Sequence, residues 1–333
     1  MSRTAMLLLV PAAALFVGLI AWQGFGSVAA TLMNAGWGLL IVAVFHLIPL
    51  ALDAAAIAVM FDQRDGHGTL REALLARWVG ESVNSLLPAG QIGGPLAMVR
   101  HLVQSGARLR DAAAAITVST TMQAVAQIAF ALLGFVLFGA YAARAAITGS
   151  AGHALIATAL LTFVMGIFYW AQRRGLFGRL SRIFAKLVGR RDWSALTTHA
   201  DAVDAAVHAL YRRSAKVGAT FSLSLVGWII GTGEVWLAMR LLGHPVGWLD
   251  ALLLESLGQA IRGAAFAIPG ALGAQEGGYL LLAPLVGVSP DAALGLSLAK
   301  RARELLLGLP GMIYLHWNER NWQRRAPQVS TAE

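Results

Sequence analysis

The 333-residue chain contains no cysteine. That excludes disulfides, thiolate metal sites and cysteine nucleophiles, and it leaves the redox compartment undetermined. Charge is scarce as well. Asp, Glu, Lys and Arg make up 13% of the chain, where an ordinary soluble domain carries roughly 25%. Apolar residues reach 57% and mean hydropathy is +0.65, so the chain reads as an integral membrane protein. By length it would suit about two soluble domains, but the apolar runs extend nearly end to end, which argues for a single polytopic domain over 1–333. Also missing are a Gly-x-x-x-x-Gly-Lys-Ser/Thr loop, His-Glu-x-x-His and Gly-x-Ser-x-Gly. The common signatures of nucleotide, zinc and serine chemistry therefore fail. The sequence assigns no catalytic residue, cofactor or metal, and an enzyme is not expected, although intramembrane enzymes can use dispersed residues. The net charge of +9 is explained by basic inner loops of a membrane protein rather than by nucleic acid.

What is present divides into six spans, at about 5–22, 36–61, 111–140, 152–171, 217–242 and 290–317, each close to the 20 or so residues needed to cross. Residues 1–23 also suit a cleaved leader. An uncleaved span is favoured because no Ala-x-Ala site precedes a polar start and Trp22 suits an interfacial anchor. In the second span Pro49 should kink the helix, and His46 and Asp53 share a face. Asp53 is either hydrated near the cytoplasmic end or functional. Asp111 is the expected N-cap of the third span, where Thr117, Thr120, Gln123 and Gln127 form a polar stripe. Glu234 lies between Trp228 and Trp236 in the fifth.

Two regions are apolar but broken. At about 70–104, a segment holding Arg71, Glu72, Arg77, Glu81 and Asn84 meets Pro88-Ala-Gly-Gln-Ile-Gly-Gly-Pro95 and then a second short apolar piece. At about 248–286 the break is Arg262-Gly-Ala-Ala-Phe-Ala-Ile-Pro-Gly-Ala-Leu-Gly-Ala-Gln-Glu-Gly-Gly-Tyr279. Neither piece of the first region is long enough to span, so each region reads as a re-entrant helical hairpin. Irregular backbone at membrane depth survives only where protein or a water-filled cavity satisfies it, which marks a candidate site. The glycines either let helices approach closely or free N–H groups for an anion.

The 172–216 segment is the most basic. Within it Trp193, Leu196, Ala200, Val203, Val207 and Leu210 give an amphipathic helix at about 192–213, which suits the inner surface and anionic inner-leaflet lipids. His199, Asp201, Asp204 and His208 there read as a solvated face rather than a metal site. Placing both termini, this segment and the first broken region in the cytoplasm gathers most of the 26 Lys and Arg on one side. The two broken regions then enter from opposite faces. They also share an order of features: Glu81, Pro88, a Ser-Gly turn and Asp111 in one, and Glu255, Pro269, a Gly-Val-Ser turn and Asp291 in the other, with Gln123 falling opposite Arg303. The expected fold is thus an all-α membrane protein with six transmembrane helices and two re-entrant helical hairpins forming an inverted repeat.

Lys300, Arg301, Arg303 and Glu304 lie roughly 15 to 21 Å into the last span. A charge at a helix centre costs about 2.5 to 3.5 kcal/mol on insertion scales, so these four must face protein or water. Pairing Glu304 with Lys300 or Arg301 leaves two positive charges over, to be met by Glu276, Glu255, Glu81 or an anionic headgroup. A closed ion-pair network and a headgroup or coupling-ion site both remain open on these grounds.

Asn84-Ser-Leu-Leu-Pro88 with its glycines, Ile268-Pro-Gly-Ala-Leu-Gly-Ala-Gln-Glu276 and Arg301 together resemble the lysylphosphatidylglycerol synthase transmembrane (flippase-like) family, over about residues 10–318. The Pro-Gly-x-x-Gly-x-x-Glu element is the most specific part, and the likeness is greatest to proteins associated with hopanoid biosynthesis. The resemblance implies lipid handling. In larger members the membrane region moves a lipid between leaflets and a soluble domain attaches the amino acid; that domain is missing here, so aminoacyl-lipid synthesis is not expected. Gly94-Pro95 stands where the family pattern calls for an acidic residue. The expected function is a lipid translocase of the bacterial inner membrane, moving a hopanoid, another isoprenoid-derived lipid or an anionic lipid by rocking of the hairpins. A lipid-headgroup-modifying enzyme and a non-transporting scaffold are the alternatives, with a second copy or lipid-biosynthesis enzymes as partners. The substrate-binding candidates are Glu81, Asn84, Pro88, Gly90 and Gly93 in the first hairpin. In the second they are Arg262, Pro269, Gly270, Gly273, Gln275 and Glu276, and in the last span Lys300, Arg301, Arg303 and Glu304.

Overall fold

The computed structural model describes residues 36–62, 66–87, 93–144, 194–264 and 273–325. The expected spans at 5–22 and 152–171, residues 172–193 of the basic 172–216 segment, and Pro88, Gly90, Pro269 and Gly270 lie outside the described residues. The described residues are mainly helical, with no strand among them: α1 (Gly38–Ala58), α2 (Leu70–Leu86), α3 (Gly93–Gln104), α4 (Leu109–Arg144), α5 (Ser194–Arg212), α6 (Ser214–Leu241), α7 (Trp248–Ala264), α8 (Ala274–Leu282) and α9 (Pro290–Arg325). Among the described residues, three helices are long and apolar enough to cross a membrane: Gly38–Ala58, Leu109–Ala140 and Ser214–Leu241. The central charges of α9 keep it out of that group.

Local sequence explains the helix ends. Thr69 caps α2 through its hydroxyl, which accepts from the Glu72 N–H at 3.3 Å, while the Glu72 carboxylate takes the Thr69 N–H at 2.9 Å. This reciprocal box satisfies two of the donors that every helix start leaves over. Asp111 is not the cap of α4: the helix already starts at Leu109, and Asp111 sits in its first turn beside Arg110. There a carboxylate still favours the positive end of the helix dipole. A single 3₁₀ turn (Ala283–Val286) follows α8 and stops at Gly287, which takes the left-handed φ of 69° that glycine tolerates. The α9 helix continues past the expected end at 317 to Arg325. Its length of about 54 Å exceeds a hydrocarbon core of about 30 Å.

Each of the two broken regions is a helix, a break and a shorter helix. Each organises its own apolar core. Met98, Leu102, Ala112 and Ile116 pack with the second half of α1 around the first. Leu253, Leu254, Tyr279 and Leu296 pack with the first half of α1 around the second. The helix neighbours repeat between the halves. Exchanging α1–α4 with α6–α9 turns the α2–α9 packing into α7–α4, α1–α2 into α6–α7, α2–α3 into α7–α8 and α3–α4 into α8–α9, all of which are present. The α1–α6 pair, which maps onto itself, is the most extensive interface.

Apart from His46 and Asp53, helix α1 is apolar, and it is not uniformly buried. Leu39, Val42, Leu50 and Ala54 are buried, whereas Leu40, Ile41, Val44, Leu47 and Ile48 are exposed. An apolar helix with one side uncovered fits a lipid-facing surface. The same holds at Leu132, Leu133 and Val136 of α4 and at Leu306, Leu309 and Ile313 of α9.

Candidate functional site: a buried charge network at the meeting of the two halves

The arc of charges on α9 sits inside the protein. Lys300, Arg303 and Glu304 are buried, and all three cations of the arc find carboxylate partners on other helices. The Arg303 guanidinium reaches the Glu234 carboxylate of α6 at 3.1 Å and that of Glu81 on α2 at 3.0 Å. His46 of α1 lies between the same two carboxylates, with Nδ1 2.8 Å from Glu234 and Nε2 2.8 Å from Glu81. This group draws together four helices. Lys300 donates to Glu255 of α7, which also accepts from Gln259 at 2.8 Å. On the remaining side, Glu304 takes Arg262 of α7 at 2.5 Å and Arg301 at 3.1 Å.

Glu276 does three things. One oxygen takes the Gly273 N–H at 2.7 Å and so caps α8; the other accepts from the Ser297 hydroxyl at 3.0 Å and faces Arg301 at 3.5 Å. Gln275 accepts from Arg262 at 3.2 Å. Glu81, Arg262, Gln275, Glu276, Lys300, Arg301, Arg303 and Glu304 are therefore gathered into one network, as the sequence suggested. Of the two pairings open within the arc, Glu304 takes Arg301, and Arg262 besides, while Lys300 is given to Glu255. The two positive charges left over on the arc are compensated by Glu81, Glu234, Glu255 and Glu276, so charge balance here does not call for an anionic headgroup. Of the three cations of the arc, Arg301 is the least fully engaged: its Nε is buried without an acceptor among the described residues, as is that of Arg77 outside the arc.

Asn84 and Gly93 lie apart from this network, at the junction of α2 and α3. Asn84 accepts the Gly94 N–H at 2.8 Å. A Cβ on Gly94 would come within 2.5 Å of the Gly80 carbonyl oxygen, so the glycine is there for close helix approach. Its N–H is used internally rather than offered to an anion, as is that of Gly273, whose φ of 78° again needs glycine. Pro88, Gly90, Pro269 and Gly270 belong to the undescribed breaks.

Several residues of the site were not among the sequence candidates. Glu234 and His46 are central to it, and Asp53 is held by Arg77 at 2.8 Å and Gln123 at 2.6 Å. The hydrated reading of Asp53 is thereby set aside. The signal was present, since each is a charged or titratable group inside an apolar span, but their partners are remote in sequence: His46 and Glu234 are 188 positions apart.

A small cavity with room for about one water opens beside the network, lined by His46, Glu81, Ser82, Ser85, Arg303 and Glu304. Trp78 closes it toward α9 by donating its Nε1–H to the Leu307 carbonyl at 2.9 Å. Farther along α9, Arg100 of α3 forms a separate lock. Its Nε donates to Glu319 at 2.8 Å, and Gln104 joins at 2.7 Å. The hydrogen bond from Arg100 holds the Glu319 carboxyl down to about 2. Among the described residues, no group of three or more His, Asp or Glu is arranged to hold a metal.

A family model described as the lysylphosphatidylglycerol synthase TM region matches residues 7–311 of the chain. No curated protein and no solved structure matches it.

Proposed function

From the chain's membership of the lysylphosphatidylglycerol synthase transmembrane family, which makes it a membrane protein of lipid metabolism or transport, and from the network above, we propose that it is a lipid translocator. The observation that carries this reading is the placement of Arg303, which ties α1, α2, α6 and α9 together where the two halves meet. Transporters built from inverted repeats place their sites between broken helices at mid-membrane. The exchange of helix neighbours between α1–α4 and α6–α9 supports such a repeat, with 70–104 and 248–286 as re-entrant hairpins within six spans. In this reading the hairpins rock against each other around the network. The protein then sits in a bacterial inner membrane with both termini cytoplasmic and does not itself transform the lipid.

The cargo proposed is a hopanoid, another isoprenoid-derived lipid or an anionic lipid, in that region of the network where Arg301 has donor capacity to spare. The basic 172–216 segment engages anionic inner-leaflet lipid. Purified protein in vesicles of phosphatidylethanolamine and phosphatidylglycerol, with fluorescent lipids added to one leaflet, tests the reading. Leaflet exchange is expected, and Arg301→Ala should slow it without loss of folded protein. Chemically altered lipid would assign the chain to headgroup chemistry, and neither exchange nor alteration of any lipid class would make it a scaffold.

A further inference from the structure

We propose that His46, held between Glu81 and Glu234, is a single-proton binding site, and that this proton is the ion bound and released during lipid translocation. The second part rests on the translocator reading; the first does not.

Both ring nitrogens of His46 lie 2.8 Å from a carboxylate oxygen. A neutral imidazole has one N–H, so one of those contacts would set a lone pair against a carboxylate. Only the imidazolium donates at both. The charge count agrees. Arg262, Lys300, Arg301 and Arg303 face Glu81, Glu234, Glu255, Glu276 and Glu304, while Arg77 is matched by Asp53. The undescribed breaks at 88–92 and 265–272 contain no charged residue. Among the described residues, the network is therefore one cation short unless His46 carries a proton.

The groups around the ring come from every helix packed on α1. From α2 they are Arg77 and Glu81, from α6 Glu234, and from α9 Lys300, Arg303 and Glu304; α4 contributes only the neutral Gln123, next to Asp53 of α1 itself. Arg303 Nη1 stands 3.1 Å from His46 Nε2 and 3.0 Å from Glu81. When the proton leaves Nε2, that guanidinium can donate to the bare nitrogen, while the Glu81 oxygen is left against a lone pair and is pushed away. Glu81 belongs to the first hairpin, so proton release bears directly on the element that is to move. The water-sized cavity beside His46, lined also by Ser82 and Ser85, has room for a water to take up the proton.

Nitrogen NMR of histidine-labelled protein in nanodiscs, with His46 assigned by loss of its signals in His46→Gln, tests the site. At pH 7.5 an ordinary histidine, with a pKa of about 6.5, is mostly neutral, whereas His46 is expected as imidazolium. A neutral ring at that pH overturns the proposal. If His46→Gln fails to fold, His46→Lys restores the positive charge, and its signal loss makes the assignment. Exchange of fluorescent phosphatidylglycerol in vesicles is then measured under imposed pH gradients of each sign. The wild-type rate should differ several-fold between the two, and His46→Lys should respond to neither. A charged His46 with gradient-independent exchange overturns the coupling role. A charged His46 with no lipid exchange under any gradient also overturns the coupling role, and there it is the translocator reading that has failed while the proton site stands.

Discussion

Lys300 and Glu255 offer the most direct test of how the charge network is held. Their side chains are 1% and 4% exposed, so neither can recover its hydration if the other is removed. Changing Lys300 to Met keeps the volume but strands Glu255, whose one other donor is Gln259. Removing one member of a buried pair costs about 3 to 5 kcal/mol. Removing both strands no charge: in Lys300→Met with Glu255→Gln, the new amide can still bond to Gln259, and replacing a buried pair by neutral groups of similar size is often neutral or stabilising. Unfolding of the purified protein in detergent, followed through its 10 tryptophans, should show the single Lys300 change destabilised by about 3 kcal/mol or more and the double change restored most of the way. A double variant as unstable as Lys300→Met, or a single variant indistinguishable from the parent, would refute the claim that the two charges depend on each other.

Gly94→Val should force α2 and α3 apart, because its Cβ meets the Gly80 carbonyl oxygen. A loss of about 1 to 3 kcal/mol is expected from overpacking, against a neutral or slightly stabilising Gly231→Ala, whose Cβ meets nothing within 4 Å. Thermal midpoints compare the two. Because Glu319 is held to about 2, below its ordinary 4.5, by Arg100, its contribution is fully present above the ordinary value and is lost as pH falls toward 2. Hydrogen exchange at the end of α9 should rise over that interval in the parent and stay level in Glu319→Gln. The absence of native cysteine makes single-cysteine labelling clean: Thr148→Cys should react with an impermeant maleimide from the outer side, and reaction from the cytoplasm alone would defeat the inverted arrangement of the hairpins.

That two helical regions would be interrupted was legible because proline and glycine cluster there and disfavour helix within an apolar run, although Gly93, Gly94 and Pro95 belong to the first turn of α3. The helical pieces on either side of the breaks emerged close to their expected limits. Helix starts were less so: Asp111 looked like a cap, but the favourable position for a carboxylate extends through the whole first turn, so composition alone does not fix the boundary. Glu276 was singled out correctly, yet its double task, capping α8 and answering Ser297 and Arg301, depends on the turn of backbone at Gly273 that only the fold displays.

By itself the sequence determined the solvent of this protein and the burden that follows from it. An apolar, charge-poor chain must lie in a membrane, and Lys300, Arg301, Arg303 and Glu304 in its midst must turn inward, because hydrocarbon cannot solvate them. What the sequence left open was the partner of each charge. Coulomb attraction is set by distance in space, and a carboxylate 188 positions away in the chain is no less available than a near one once two helices pack. Only the tertiary structure could give Arg303 to Glu81 and Glu234, Lys300 to Glu255, and His46 to two carboxylates at once.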